Sequence, residues 1–259
     1  MPGEPQGGWL HTIDDVIQKL DQIVEACRRT QNRLGYFAVL YRQVTVRVKQ
    51  GIDRGEFEDN PRMERLDVIF AKRFIDAWEQ YERGEEPTLS WKLAFGAAEE
   101  SRMVVLQHLL LGINAHINLD LGIAAVETME GKPLEPLRGD FNKINAVLAE
   151  LTDGVKENIG RISPVFRLLI RFARGRDEML VNFSINTARE GAWKFAGEYA
   201  KAASRPALTA QRDHQIAALA QRLINPGKRL SRILYFVSLA EWRTVSGNMA
   251  QLDRLVKRS

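Results

Sequence analysis

The chain has a single cysteine, Cys27, among its 259 residues, so no intramolecular disulfide can form. It has no long cationic block. The densest basic stretch, Arg161 to Arg176, spreads its arginines through apolar residues, and the net charge of +4 with a pI near 9.2 is only mildly basic. A dedicated nucleic-acid binder concentrates its charge more than this, so no nucleic-acid partner is expected. The opening MPGEPQGGWLHTIDD has neither a basic n-region nor an apolar h-region, and no secretory leader is expected. There is no G-x-x-x-x-G-K-[ST], no dinucleotide fingerprint on a strand and no G-x-S-x-G, which leaves no nucleotide-cofactor motif.

Long, purely apolar runs are missing too. The most apolar segment, Val104 to Val126, is long enough to cross a bilayer but holds Gln107, His108, Asn114, His116, Asn118 and Asp120, each costly in lipid. It reads as a buried core helix rather than a transmembrane segment, and the expected compartment is the cytoplasm. Period-two alternation is confined to Val44–Val48, which also fits the helical face Leu34, Phe37, Tyr41, Val44, Val48.

Helical periodicity dominates what remains. Residues 1–11 read as a flexible lead. Thr12 followed by Asp15 reads as a capping box opening a helix to Thr30, with Cys27 on its apolar face as a small core residue. Further helices are expected near 33–51, 61–82, 90–100, 101–129, 140–152, 164–174, 177–203, 210–225 and 229–246, with breaks at Gly- and Pro-containing stretches. Without internal repeats or long linkers, residues 12–259 are expected to form one all-α domain, an irregular multi-helix bundle around the central helix 101–129.

That helix carries the chemistry. At about 100° per residue His108, Gly112, His116 and Asp120 form one stripe, with Glu127 further down it, and the i, i+4 pair His116 and Asp120 can converge. Gln107, Asn114 and Asn118 form a second stripe. Buried polar groups need partners, so the six polar residues between Gln107 and Asp120 are either a satisfied network that fixes register or a functional site. Other helices send acids inward as well: Asp67 lies within the apolar face of 61–82, and Glu241 near the centre of the face of 229–246. Arg189 flanks the apolar strip of 177–203, where it can neutralise a buried carboxylate. His214 falls opposite the apolar residues Ile216, Leu219 and Leu223 and His11 precedes the first cap, so both are expected at the surface.

Two imidazoles with carboxylates from different helices are a ligand set for one divalent transition metal, Zn, Fe or Mn, drawn from His108, His116, Asp120 and Asp67. Without metal, the same groups make an acid–base set, His116 tuned by Asp120 with Glu241 and Arg189.

The runs QHLLLGINAHINLDL (107–121), FAVLYRQVT (37–45), FEDNPRMERLDVIFAKRF (57–74) and AREGAW (188–193) resemble a bacterial family classed as a domain of unknown function, AHINLDL being the most specific part. The resemblance implies one whole-chain domain with His108, His116, Asp120 and Asp67 inside characteristic runs, and it carries no activity. Better-known helical enzymes fit less well. The chain has too few histidines for a three-metal phospholipase site, no adjacent His-Asp pair, no D-D-x-x-D run and no paired E-x-x-H motifs.

Three functions follow as expectations. The first is an enzyme performing hydrolysis or other acid–base chemistry on a small-molecule substrate. The second is a binding protein for an apolar small ligand, suited by the aromatic residues Phe70, Phe74, Trp78 and Trp193. The third is a structural protein whose polar core only sets helix register. Oligomeric state is left open.

Overall fold

The computed structural model describes residues 10–100, 102–144, 147, 162, 185–241 and 244–254, and among them there are helices and turns but no strand. Helix α1 (Ile13–Thr30) starts at the capping box: Asp15 N–H donates to Thr12 Oγ1 at 3.2 Å, and Thr12 N–H to Asp15 Oδ2 at 2.9 Å. Then follow α2 (Gly35–Asp53), α3 (Asn60–Glu82), α4 (Leu89–Ala98) and the central α5 (Val105–Thr128). A 3₁₀ turn, Glu135–Leu137, leads into helical residues 138–144. The remaining helices are α6 (Ile185–Ala200), α7 (Arg205–Ile224), α8 (Lys228–Ala240) and α9 (Val245–Asp253).

Two boundaries differ from the sequence expectation. The break read at Arg205–Pro206 is the start of α7: Ser204 caps it, and Pro206 sits in the first turn, where its missing N–H is no loss. The helix expected over 229–246 is two helices, because α8 ends at Glu241 and Thr244 caps α9 by accepting from Gly247 N–H at 3.1 Å. The helix expected at 164–174, most of 140–152, the start of 177–203 and most of the 1–11 lead lie outside the described residues.

Helix α5 is the axis of the bundle. Its first half packs against α2, α4 and α7, its second half against α3 and α6. Long and apolar enough to span a membrane, it is instead mostly buried within the fold. Glycines let neighbours reach its backbone: a Cβ on Gly112 would lie 2.4 Å from the Phe37 ring, and one on Gly122 would lie 2.8 Å from the Ala192 carbonyl. The polar stripe Gln107, Asn114, Asn118 sets the register against α7. Gln107 Nε2 donates to Leu223 O at 2.8 Å and Asn114 Nδ2 to Ile216 O at 3.0 Å, with equal spacing along the two antiparallel helices. Asn118 donates to Asn114 Oδ1 at 2.9 Å. These amides spend their donors on carbonyls of α7 and on one another, which makes the second stripe structural.

Three carboxylates from elsewhere in the chain satisfy helix entries, where backbone N–H groups lack intrahelical partners. Asp140 accepts from Glu58 N (2.7 Å), Asp59 N (3.1 Å) and the Arg62 guanidinium (2.8 Å) ahead of α3. Asp213 accepts from Leu89 N (2.6 Å) and Ser90 N (2.9 Å) at α4. Glu241 accepts from Val105 N at 2.9 Å at the start of α5. Glu241 is therefore not in the middle of a helix face, and its carboxylate serves the end of the central helix rather than Arg189.

Candidate functional site

Across His116–Asp120, within α5, the backbone adopts a π-turn, with Leu121 N–H donating to His116 O. The wider turn inserts one extra residue, so the phase of about 100° per residue is lost beyond it. Glu127, seven residues past Asp120 through regular helix, keeps Asp120's side, and its charge acts on Arg73, but it lies exposed near the end of the helix. Within the turn, residues four apart still face each other, and Arg212 Nε donates to the Asn118 carbonyl at 3.1 Å.

Both carboxylate oxygens of Asp120 are engaged. Oδ1 accepts from Arg73 Nε at 2.8 Å, and Oδ2 from Trp91 Nε1 at 2.8 Å, with His116 Nδ1 at 3.5 Å, the outer limit of a hydrogen bond. Burial pushes this carboxyl up, but the Arg73 charge and the His116 and Trp91 hydrogen bonds outweigh it and hold the pKa below the ordinary value. His116 is shifted down too, but by burial, which favours its uncharged form. Its burial lowers the pKa despite Asp120, so the ring is neutral at pH 7.

Aromatic rings enclose that imidazole. Phe70 stacks on it with centroids 3.6 Å apart at 8°, Tyr41 meets it edge-on at 4.3 Å, and Phe37, Trp91 and Phe74 follow at 5.7, 6.0 and 6.3 Å. A proton on Nδ1 facing Asp120 leaves Nε2 as the acceptor, and Nε2 is buried without a hydrogen-bond partner. So are Tyr41 Oη and Asp67 Oδ2. Asp67 lies one helical turn before Phe70 on α3, and the charges of both Asp67 and Asp120 act on Tyr41. Burial, with Glu64 nearby, raises the Asp67 carboxyl to about 8, so it holds its proton at neutral pH. Burial keeps Tyr41 neutral as well. Two buried polar atoms without partners, His116 Nε2 and Tyr41 Oη, thus belong to one ring cluster, and the buried Asp67 acts electrostatically on the same tyrosine, an arrangement that native interiors seldom leave unexplained.

The metal set expected from sequence is not brought together. His108 is eight residues before His116, about 12 Å along the helix, whereas ligands of one ion lie near 2 Å from it. His108 packs against Tyr36 at 5.8 Å instead, and its two nitrogens are buried without hydrogen-bond partners; the Met103 carbonyl faces it without reaching hydrogen-bond geometry. Burial lowers its pKa to about 3. Asp120 already neutralises Arg73, a poor neighbour for a cation, and among the described residues no three His, Cys, Asp or Glu side chains form a metal-binding group.

Arg189 is buried on α6, where it donates to the Phe141 carbonyl and lies 4.3 Å over the Phe141 ring; burial lowers its pKa to about 9. The cation that neutralises Asp120 is Arg73, which sequence reasoning missed. The signal was there: Arg73 adjoins Phe74 and lies three residues after Phe70, and a long basic side chain at the edge of an apolar stripe can reach inward along it. Tyr41 reads from sequence only as part of an apolar helical face and Trp91 carries no signal of its own; only packing shows where their polar ends point. His11 and His214 are exposed, and Cys27 is core, its thiol pushed up to about 12 by burial.

No curated protein and no solved structure matches this chain. A family model does, over residues 13–226, a span that includes His108, His116, Asp120, Asp67, Tyr41, Arg73, Trp91 and Arg189 but not Glu241. The chain belongs to the family of unknown function DUF5995.

Proposed function

We propose that the π-turn cluster is an acid–base site for a small molecule, with His116 as base, Asp120 as the group that orients it, and Asp67 as proton donor. The observation that supports this reading is a pair of buried titratable groups driven in opposite directions. The imidazole is kept neutral with Nε2 unpartnered, and the carboxyl is kept protonated with Oδ2 unpartnered. Environments that separate two pKa values in this way assign one group to accept a proton and the other to give one. Arg73 and Trp91 hold Asp120 ionised and fixed, so Asp120 orients without itself taking the proton. The surrounding rings of Phe37, Tyr41, Phe70 and Phe74 favour a substrate with an apolar, planar body and one polar end, and they exclude water from the exchange.

A second reading, in which the cluster only fixes helix register, draws on the complete pairing of Asp120 by Arg73 and Trp91. Turnover of small aryl esters and deuterium exchange α to carbonyl groups in small aryl ketones separate the two. On the acid–base reading His116→Gln lowers the rate by about 10²-fold or more while the thermal melt moves little. A wild-type protein inert toward the whole panel, combined with His116→Gln protein that fails to fold, would sink the acid–base reading in favour of register.

A further inference from the structure

We infer that the outward face of α8 docks on an anionic phospholipid bilayer. Among the described residues the exposed large hydrophobic side chains are Tyr235, Phe236 and Leu239, at 52%, 65% and 62% exposure, and all three lie on this one helix. Their opposite face, Leu230, Leu234 and Val237, is spent on the core. At about 100° per residue Lys228, Arg229 and Arg232 share the outward face with them, and all three are exposed. The helix KRLSRILYFVSLA has no acidic residue.

The position of the cations is informative. They occupy the first turns of α8, where the helix dipole disfavours positive charge and where Gly227 provides no side-chain cap. Helix stability therefore does not account for them. A surface that takes both features must be negative beside the first half of α8 and apolar beside the second. The headgroup and acyl boundary of an anionic bilayer offers that sequence, with the aromatic and leucine side chains entering while the lysine and arginines stay among phosphates. This surface lies beyond residues 13–226, the span matched by the family model, and apart from the π-turn cluster.

Co-sedimentation of the full chain with phosphatidylcholine vesicles, with and without phosphatidylglycerol, tests the assignment. The protein should sediment with the anionic vesicles, and high salt should release it. Arg229→Gln with Arg232→Gln should weaken the partition by about fivefold per cation removed. Phe236→Ser with Leu239→Ser should weaken it as well, each variant melting as the wild type does because the altered side chains are exposed. Failure of the wild type to bind, or equal binding to neutral vesicles, would overturn the proposal. So would a lowered melting temperature in these variants, which would show the face to be packed. A concentration-dependent dimer abolished by Phe236→Ser with Leu239→Ser would assign the face to a second copy of this chain and overturn it likewise.

Discussion

Replacing a buried core residue normally destabilises a protein, but Asp67→Asn should do the reverse at neutral pH. Asp67 lies buried on α3 with Oδ2 unpartnered, and its carboxyl is raised from an ordinary value of 3.8 to about 8. An acid whose folded pKa is raised binds its proton more tightly in the folded state than in the unfolded one. Stability is then greatest below pH 4, falls as pH rises from 4 to 8, and is flat above that window. At pH 7 the unfolded chain gains roughly 4 kcal/mol from ionising Asp67, at 1.36 kcal/mol per unit. Asparagine has no such term, though its buried amide costs roughly 1–3 kcal/mol if unsatisfied. The net gain at pH 7 is therefore about 1–3 kcal/mol. The difference between pH 5 and pH 7 is independent of the amide and amounts to about 2.7 kcal/mol for one proton over two units. Urea denaturation of both proteins at pH 5, 6, 7 and 8 reads it directly. A gap between variant and wild type that stays constant over that range would refute the claim that Asp67 holds a proton in the fold. On the proposed acid–base reading, this loss of stability at working pH fits the general pattern in which functional groups trade stability for chemistry.

Glu241→Ala should lower stability by about 1 kcal/mol by freeing Val105 N–H, while Glu241→Gln, which retains an acceptor oxygen, should recover most of it in thermal melts. Gly112→Ala places a methyl within 2.4 Å of the Phe37 ring, so about 1–3 kcal/mol of stability should be lost in denaturation. The change should also disturb the His116 ring resonances in NMR, because Phe37 packs edge-on against that imidazole. Cys27 should resist alkylation by iodoacetamide in the folded protein and react fully in urea, since burial both covers it and pushes its thiol up to about 12.

Much of the helical architecture was legible from local signals that act over three or four residues. Thr12 and Asp15 form the capping box their spacing requires, and the α5 run of apolar residues needed cover on every side. His116 and Asp120 were legible as a pair because i, i+4 geometry survives the π-turn, and Glu127 keeps Asp120's side because the seven residues between them are regular helix. No local rule distinguishes an inward acid that caps a distant helix from one that faces a site. Asp140, Asp213 and Glu241 all do the former, and their partners lie 78 to 136 residues away in sequence. The same limit hid Arg73 and Trp91, whose hydrogen bonds to Asp120 exist only because α3 and α4 pack on the central helix. The sequence by itself determined most of the helices and buried faces among the described residues, since periodicity and capping are short-range properties. Tertiary structure alone decided which buried polar group meets which partner. That choice separates the protonated Asp67 from the ion-paired Asp120, because a carboxyl's charge state depends on the desolvation and neighbouring charges that packing brings to it.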